Sequence, residues 1–270
     1  MAKFFDTVNH AKLLQLLSDR IKDGDKITPS TIETAQGGPI SPTLANIVLH
    51  ELDRELEKRG HRSVRYADDM MIFCKSRKAA ERSLKHIKPY IEKKLFLQLN
   101  EQKTKIRNIT SADVKFLGFG FWADRGGVIK ARPHKKSKDQ CKARLKALTN
   151  RNRGQSLDTF RKKLAEFVRG WVNYFRETAM VVFVKETDQW LRRRIRQIYW
   201  KQWKKISTKY RALVRLGKPR DEAWSFANTR KSYWHTAKSQ ILLTTLTNEF
   251  LQSKGWVCLN DVYKSGRARY

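Results

Sequence analysis

The stretch Val64–Arg65–Tyr66–Ala67–Asp68–Asp69–Met70–Met71–Ile72–Phe73–Cys74 constrains this chain more than any other. Two β-leaning apolar runs flank a pair of carboxylates with no spare residue between them. That pattern predicts a tight β-hairpin with Asp68 and Asp69 at its turn. Adjacent like charges are costly unless a cation lies close. Two aspartates at a rigid tip therefore point to a hard divalent ion, with Mg²⁺ favoured by all-oxygen ligands. An Asp-Asp pair is also what an exposed turn carries in any soluble protein. The hairpin alone leaves both readings open.

The flanking sequence predicts helices on either side. Gln36–Gly37–Gly38–Pro39–Ile40 is a turn-rich loop. Ser41 is a good N-cap and Pro42 a good first helical residue, because proline's missing N–H costs nothing there. Leu44, Ile47, Val48, Leu52 and Leu56 then line one face, and the helix is expected to end near Gly60. Ser76 caps a second helix carrying Ala80, Leu84, Ile87, Ile91 and Leu95. Residues 97–100 and 104–107 read as short strands around a turn. Phe116–Leu117–Gly118–Phe119–Gly120–Phe121 reads as another strand, with glycines where a backbone or ligand approaches closely. Helix, hairpin, helix and strands describe an α+β unit, an antiparallel sheet with helices on one face.

Residues 122–142 read as a basic, loop-like linker containing Arg132, His134, Lys135, Lys136, Lys138 and Lys142. The remainder reads as helical. Phe160, Leu164, Phe167, Val168, Trp171, Tyr174 and Phe175 follow one helical face. With Thr187 as a cap, Leu191, Ile195, Ile198, Tyr199, Trp203 and Ile206 follow another. A third helical stretch is expected from about Ala223 to Ser253. The tryptophans, Trp171 and Trp203 among them, fall at core spacing.

Charge divides the chain in the same way. Residues 1–118 hold 22 basic and 15 acidic residues, a net of +7, and residues 119–270 hold 36 and 11, a net of +25. The overall +32 exceeds any solubility requirement and points to polyanionic partners. Opposite the apolar stripe of the second helix lie Arg192, Arg193, Arg194, Arg196, Lys201, Lys204 and Lys205. A charge run is commonly a solvated face. Here it belongs to a strongly cationic module, and the expectation is nucleic-acid contact through phosphates, with steep salt dependence. Cys74, Cys141 and Cys258 have no paired spacing, so neither a disulfide scaffold nor a cysteine zinc site is expected. With no long apolar run or signal segment, the expectation is a soluble chain in a reducing cytoplasm, bacterial or nucleoid-associated, with no membrane partner.

Taken together, Gln36–Gly37–Gly38–Pro39–Ile40–Ser41–Pro42 followed by Tyr66–Ala67–Asp68–Asp69 resembles the reverse transcriptases. Leu99–Asn100–Glu101–Gln102–Lys103–Thr104–Lys105 and Phe116–Leu117–Gly118 resemble the next two blocks in their usual order. Phe4–Phe5–Asp6–Thr7–Val8–Asn9–His10 resembles the end of the preceding one. Arg169–Gly170–Trp171–Val172–Asn173–Tyr174–Phe175 and Trp200–Lys201–Gln202–Trp203–Lys204–Lys205 resemble the X, or thumb, domain of the group II intron reverse transcriptase/maturases.

The resemblance implies a partial polymerase palm over 1–121, the basic linker over 122–142, and an all-α maturase-specific (X/thumb) domain with a basic tail over 143–270. It implies RNA-directed DNA polymerase chemistry on an RNA template, a DNA primer and dNTP, with two Mg²⁺ ions held in part by Asp68 and Asp69. It sets Gln36, Gly37 and Gly38 beside the incoming nucleotide, Tyr66 at the nucleotide or primer, and Lys103 near triphosphate or backbone. Gln36 is otherwise an ordinary turn residue and Lys103 a solvated lysine. Structured group II intron RNA is the implied partner, bound by RNA shape and exposed bases.

The family carries a further metal-binding aspartate that would precede Met1, whereas Asp6 matches a structural position. The expectation is an N-terminally truncated chain, impaired as a polymerase unless a second copy or a missing N-terminal segment completes the site. The alternative is a maturase remnant that binds intron RNA without catalysis. No paired cysteines of an endonuclease module are seen.

Overall fold

The computed structural model describes Lys12, Leu13, Gln15, Leu16 and residues 41–267. The chain divides into two compact units, Met1–Ile109 and Thr110–Tyr270.

In the N-terminal unit, helix α1 (Ser41–Lys58) buries Ala45, Val48, Leu49, Leu52 and Leu56 on one face. It ends in a Schellman motif. Gly60 takes φ +73°, its N–H bonds Glu57 O, and the His61 N–H bonds Leu56 O. Strands β1 (Arg62–Tyr66) and β2 (Asp69–Phe73) pair antiparallel, with Arg65 opposite Met70 and Tyr66 opposite Asp69. Alternation turns Ser63, Arg65, Met70 and Ile72 to one side, where Met70 and Ile72 pack on the core. Val64, Tyr66 and Phe73 are exposed on the other.

Helix α2 (Arg77–Pro89) begins as expected, with Ser76 Oγ accepting the Ala79 N–H at 3.2 Å. Pro89 lacks an N–H to donate, and a π-helical turn, Tyr90–Lys94, follows directly, with Leu95 N reaching Tyr90 O. Ile87, Ile91, Leu95 and Leu97 complete a core that includes Leu13 and Leu16. The two strands expected over 97–100 and 104–107 are not formed. Leu97 instead bonds back to Ile91 O, and Asn100 Oδ1 accepts the Lys103 N–H in a local turn. An Asn that can satisfy the backbone locally competes with a strand ladder.

In the C-terminal unit, β3 (Phe119–Ala123) and β4 (Ile129–Pro133) form a second antiparallel hairpin. Leu117 (φ +49°) and Gly118 (φ +84°) turn the chain tightly into β3, bridging Phe116 to Phe119. A Cβ at Gly118 would lie 3.2 Å from Ser137 Oγ and 3.3 Å from Phe175 Cζ, so close approach demands glycine there. Helix α3 (Lys135–Leu148) follows, capped by His134.

Residues 122–142 are therefore not a loop-like linker. They are most of a hairpin and the first half of a helix, and they belong to the second unit. The Ser137 hydroxyl and the His134 N–H both donate to Gly118 O, while Phe119 stacks on Tyr174 and meets Phe175 edge-on. The strand expected over 116–121 thus begins only at Phe119, and these contacts bind residues 116–121 to the helical unit, with the division between units at Ile109/Thr110.

Helix α4 (Leu157–Phe175) is capped by Ser156, and α5 (Val181–Gln202) crosses the core of this unit. Thr187, expected to cap α5, lies inside it. It is 1% exposed, and its hydroxyl has no hydrogen-bond partner. Helices α6 (Ile206–Arg215) and α7 (Arg220–Ala227) form a tight pair. The third expected stretch is not one helix. It comprises α7 and three shorter helices, α8 (Tyr233–Thr236), α9 (Gln240–Thr245) and α10 (Asn248–Ser253). The Ser232 and Thr247 hydroxyls cap α8 and α10. Helix α11 (Leu259–Arg267) closes the unit. No described helix is long and apolar enough to cross a membrane.

Candidate functional site

Asp68 and Asp69 lie at the tip of the β1–β2 hairpin, as the sequence predicts. The loop is the two-residue pair Ala67–Asp68, with Ala67 at φ +51°. A non-glycine residue pays about 1–2 kcal/mol for that left-handed conformation, so neighbouring contacts must hold the turn in place. Arg65 supplies them. Its Nε donates to both Asp53 oxygens (2.9 and 3.0 Å), and Nη2 donates to Asp53 Oδ2 (2.5 Å). Nη1 reaches Asn46 Oδ1 (2.9 Å) and the Ala67 carbonyl (3.1 Å). One guanidinium thus ties the turn to two residues of α1. Sequence reasoning missed Arg65, Asp53 and Asn46; an arginine at an inward strand position was the available signal.

Arg65→Ala is expected to lower the stability of the N-terminal unit by about 2 kcal/mol, since it breaks a charge-assisted bidentate pair. Amide exchange at Ala67–Asp69 should accelerate, and unchanged exchange there would show that the turn does not depend on Arg65.

Asp69 is the cross-strand neighbour of Tyr66, and Asp68 lies in the connecting loop. Asp69 is exposed, Asp68 half-buried, and Tyr66 is 65% exposed. All the carboxylate donors are oxygens, the chemistry a hard divalent cation prefers. Among the described residues, no third His, Cys, Asp or Glu joins them in a cluster able to hold a metal. Lys103 is exposed in the turn set by Asn100. Gln36, Gly37 and Gly38, together with Asp6, lie outside the described residues.

The predicted basic face of α5 requires correction. Arg192, Arg193 and Arg194 are half-buried and Arg196 is only 6% exposed. Arg194 donates to Thr149 Oγ1 (2.6 Å), Lys146 O (3.0 Å) and Thr149 O (3.1 Å), at the C-terminus of α3. Arg196 Nε donates to Leu246 O at the end of α9 (2.9 Å). Arg193 donates twice to Trp234 O and lies 3.8 Å from the centroid of the Trp234 ring. Arg192 lies beside Asp188 and Cys258.

Helix C-termini present unpaired carbonyls and a partial negative charge, and the rigid arginine fork answers both. Burial lowers the pKa of Arg194 and Arg196, but a guanidinium remains charged regardless. Of the seven cations, Lys204 and Lys205 are exposed, and Lys201 is half-buried and bonded to Asn152 Oδ1 (2.6 Å).

Further exposed positive charge lies elsewhere in this unit. Lys135, Lys136, Lys142, Arg144 and Lys146 stand exposed on α3, and Lys162, Lys163 and Arg169 on α4. Several of the α3 lysines lay in the stretch read as a loop, so their common helix was not legible. Between α3 and α4 opens a groove of about 800 Å³, lined by Arg144 and Leu148 on one side and by Lys163, Glu166, Phe167, Gly170, Trp171 and Tyr174 on the other.

Asp188 is a buried site of a different kind. Its two oxygens accept the N–H groups of Leu259 and Asn260 at 2.8 and 2.7 Å, capping α11 from a residue 71 positions earlier. Burial pushes its carboxyl up to about 6, against the pull of those two N–H groups and Arg192. Cys141 and Cys258 are buried free thiols, each pushed by burial to about 12.

Comparison with known proteins agrees with this arrangement. Residues 1–121 match the model of the reverse transcriptase (RNA-dependent DNA polymerase) family. Residues 138–217 match the group II intron maturase-specific domain. Among curated proteins, the chain is 26% identical to the group II intron-encoded protein LtrA of Lactococcus lactis subsp. cremoris, over 47% of this chain and 34% of that protein. It is 28% identical to protein YkfC of Escherichia coli K12, over 44% of each. The chain thus spans less than half the length of either relative. With the two domain models matched in succession over most of its length, this chain belongs to the group II intron reverse transcriptase/maturase family.

Proposed function

We propose that the chain acts on group II intron RNA, binding the folded RNA through its C-terminal unit and presenting the Asp68–Asp69 hairpin for RNA-directed DNA synthesis. The observation that carries this reading is the succession of a reverse transcriptase match and a maturase-specific match in a chain whose second part carries a net charge of +25. Asp68 and Asp69 would hold Mg²⁺. Bound there, the ion would neutralise charge between the primer hydroxyl and the incoming triphosphate.

Tyr66, exposed beside Asp69 on the same strand face, is assigned to the primer or nucleotide. Gln36, Gly37, Gly38 and Lys103 are assigned to the incoming dNTP on their motifs alone. For RNA, the contacts are the exposed cations of α3 and α4 with Lys204 and Lys205, rather than Arg192, Arg193, Arg194 and Arg196. Lysine-rich helical surfaces of this kind bind phosphate with little base information.

Two measurements on the full chain test the proposal. Affinity for structured RNA should fall by about a thousandfold or more between about 50 and 200 mM salt, as expected for roughly six phosphate contacts. A flat salt response would refute the interface. Primer extension on an RNA template with Mg²⁺, impaired where only Asp68 and Asp69 supply carboxylates, should be lost altogether in Asp68→Asn while RNA affinity is kept. Salt-dependent RNA binding without any extension by the unsubstituted chain would favour the second reading, a non-catalytic maturase.

A further inference from the structure

The α3–α4 groove carries a feature that folding itself does not explain. Gly170 sits inside helix α4, four residues or more from either end. Glycine within a helix is unfavourable, and its φ here is not positive. A Cβ built at Gly170 meets no atom within 4 Å, so no neighbour in the chain requires the missing side chain. Yet Gly170 lines the groove. Gly170 thus leaves that part of the groove open to solvent.

The rest of the groove describes the chemistry of that ligand. Lys163, Glu166, Phe167, Gly170, Trp171 and Tyr174 recur at helical spacing along one face of α4. Tyr174 is fixed before any ligand arrives. Its hydroxyl donates to Leu117 O at 2.8 Å, and Phe119 stacks on its ring with centroids 5.4 Å apart. Phe175 also meets the ring edge-on, with centroids 4.8 Å apart, yet Tyr174 remains 56% exposed, so part of the ring is open. Trp171 is held beside it by Phe175 and Phe183, at 4.7 and 5.5 Å between centroids. Arg144 and Lys163 stand exposed on opposite walls. Glu166 offers an acceptor to an amine or a ribose hydroxyl.

We infer that this groove takes an unpaired nucleotide, its base stacked on the Tyr174–Trp171 platform past Gly170 and its phosphate between Arg144 and Lys163. The inference rests on the proposed RNA-binding reading and specifies it. A paired base cannot enter, because its faces are already stacked and its strand is held in a duplex. Pre-organised aromatic rings with flanking cations are the chemistry that binds single strands, whereas phosphate contact alone does not distinguish them from duplex.

The test uses the full chain, a short labelled single-stranded RNA, the same strand annealed to its complement, and the matching single-stranded DNA. Gly170→Leu should fill the groove and weaken single-strand binding about tenfold, the loss of one stacked base, while duplex affinity stays within about twofold. Gly170→Ala should melt at or above the temperature of the unsubstituted chain. A 2-aminopurine placed in the single strand should be quenched on binding the unsubstituted chain, a readout that needs no variant. An effect confined to the ribose strand assigns the groove to RNA, and equal effects on both strands assign it to base and phosphate alone; each supports the inference. Unchanged single-strand affinity in Gly170→Leu, equal loss on duplex, or unquenched 2-aminopurine would overturn it. If the unsubstituted chain bound none of the three probes, the RNA-binding reading itself would fall.

Discussion

Arg196→Ala should lower the stability of the C-terminal unit by about 2–4 kcal/mol, although Arg196 belongs to a run that reads as a solvated basic face. Its guanidinium is buried and donates to Leu246 O, and its stem packs inside the unit. Alanine would leave a carbonyl at the C-terminus of α9 without its donor and open space around it. Arg194→Ala, which strips donors from Lys146 O, Thr149 O and Thr149 Oγ1, should cost a similar amount. The paired substitution of exposed Lys204 and Lys205 by alanine should change stability by no more than about 0.5 kcal/mol. Urea unfolding followed by circular dichroism measures all three. Equal, small effects of the arginine and lysine substitutions would refute the helix-clamping role. Neutralising the four arginines together therefore tests folding before it tests RNA contact.

Asp188 should give this unit a pH dependence opposite in sign to ordinary acid denaturation. Its folded carboxyl is raised to about 6, above the value near 4 of an unfolded aspartate, because burial penalises the anion. The folded state therefore holds the proton more tightly. The stabilisation linked to that proton is present in full below about pH 4 and is lost as pH rises through about 6. A shift of that size corresponds to about 3 kcal/mol across the window. Thermal melts should show a contribution favouring the fold at pH 5 over pH 7.5, and Asp188→Asn should remove it. Asp188→Ala should destabilise at every pH, because two N–H groups at the start of α11 lose their acceptor. A wild-type pH profile that matched that of Asp188→Asn would contradict this account.

Local signals were legible where the answer depends on nearby residues. The Ser76 cap, the Gly60 stop and the hairpin carrying Asp68 and Asp69 all follow from chemistry within a few positions, and the structure has them. Thr187 shows the limit. A threonine is a fair cap by type, yet here the helix continues through it because Val184 and Leu191, on either side, are both buried in the same core. Of the strand expected over 116–121 only Phe119 onward is formed, because Leu117 and Gly118 take positive φ and turn the chain, and the unit it joins was set by the Gly118 bonds to Ser137 and His134 and by the ring contacts of Phe119.

The ordered motifs and the uneven charge by themselves pointed to the family and to a carboxylate-bearing part followed by a cationic helical one, but not to the boundary at Ile109/Thr110. Which cations face solvent was decided only by tertiary structure. Arg192–Arg196 and Lys142–Lys146 are both rich in basic residues, but the first run crosses helix ends whose carbonyls need donors, whereas Lys142, Arg144 and Lys146 stand exposed. The same holds at the hairpin. Sequence places Asp68 and Asp69 at a turn, whereas the rigidity of that turn comes from Arg65 reaching Asp53 and Asn46 on a helix 12 and 19 residues away. A guanidinium's partners are set by which backbones fold close to it, and neither its own residue type nor its neighbours in the chain contain that information.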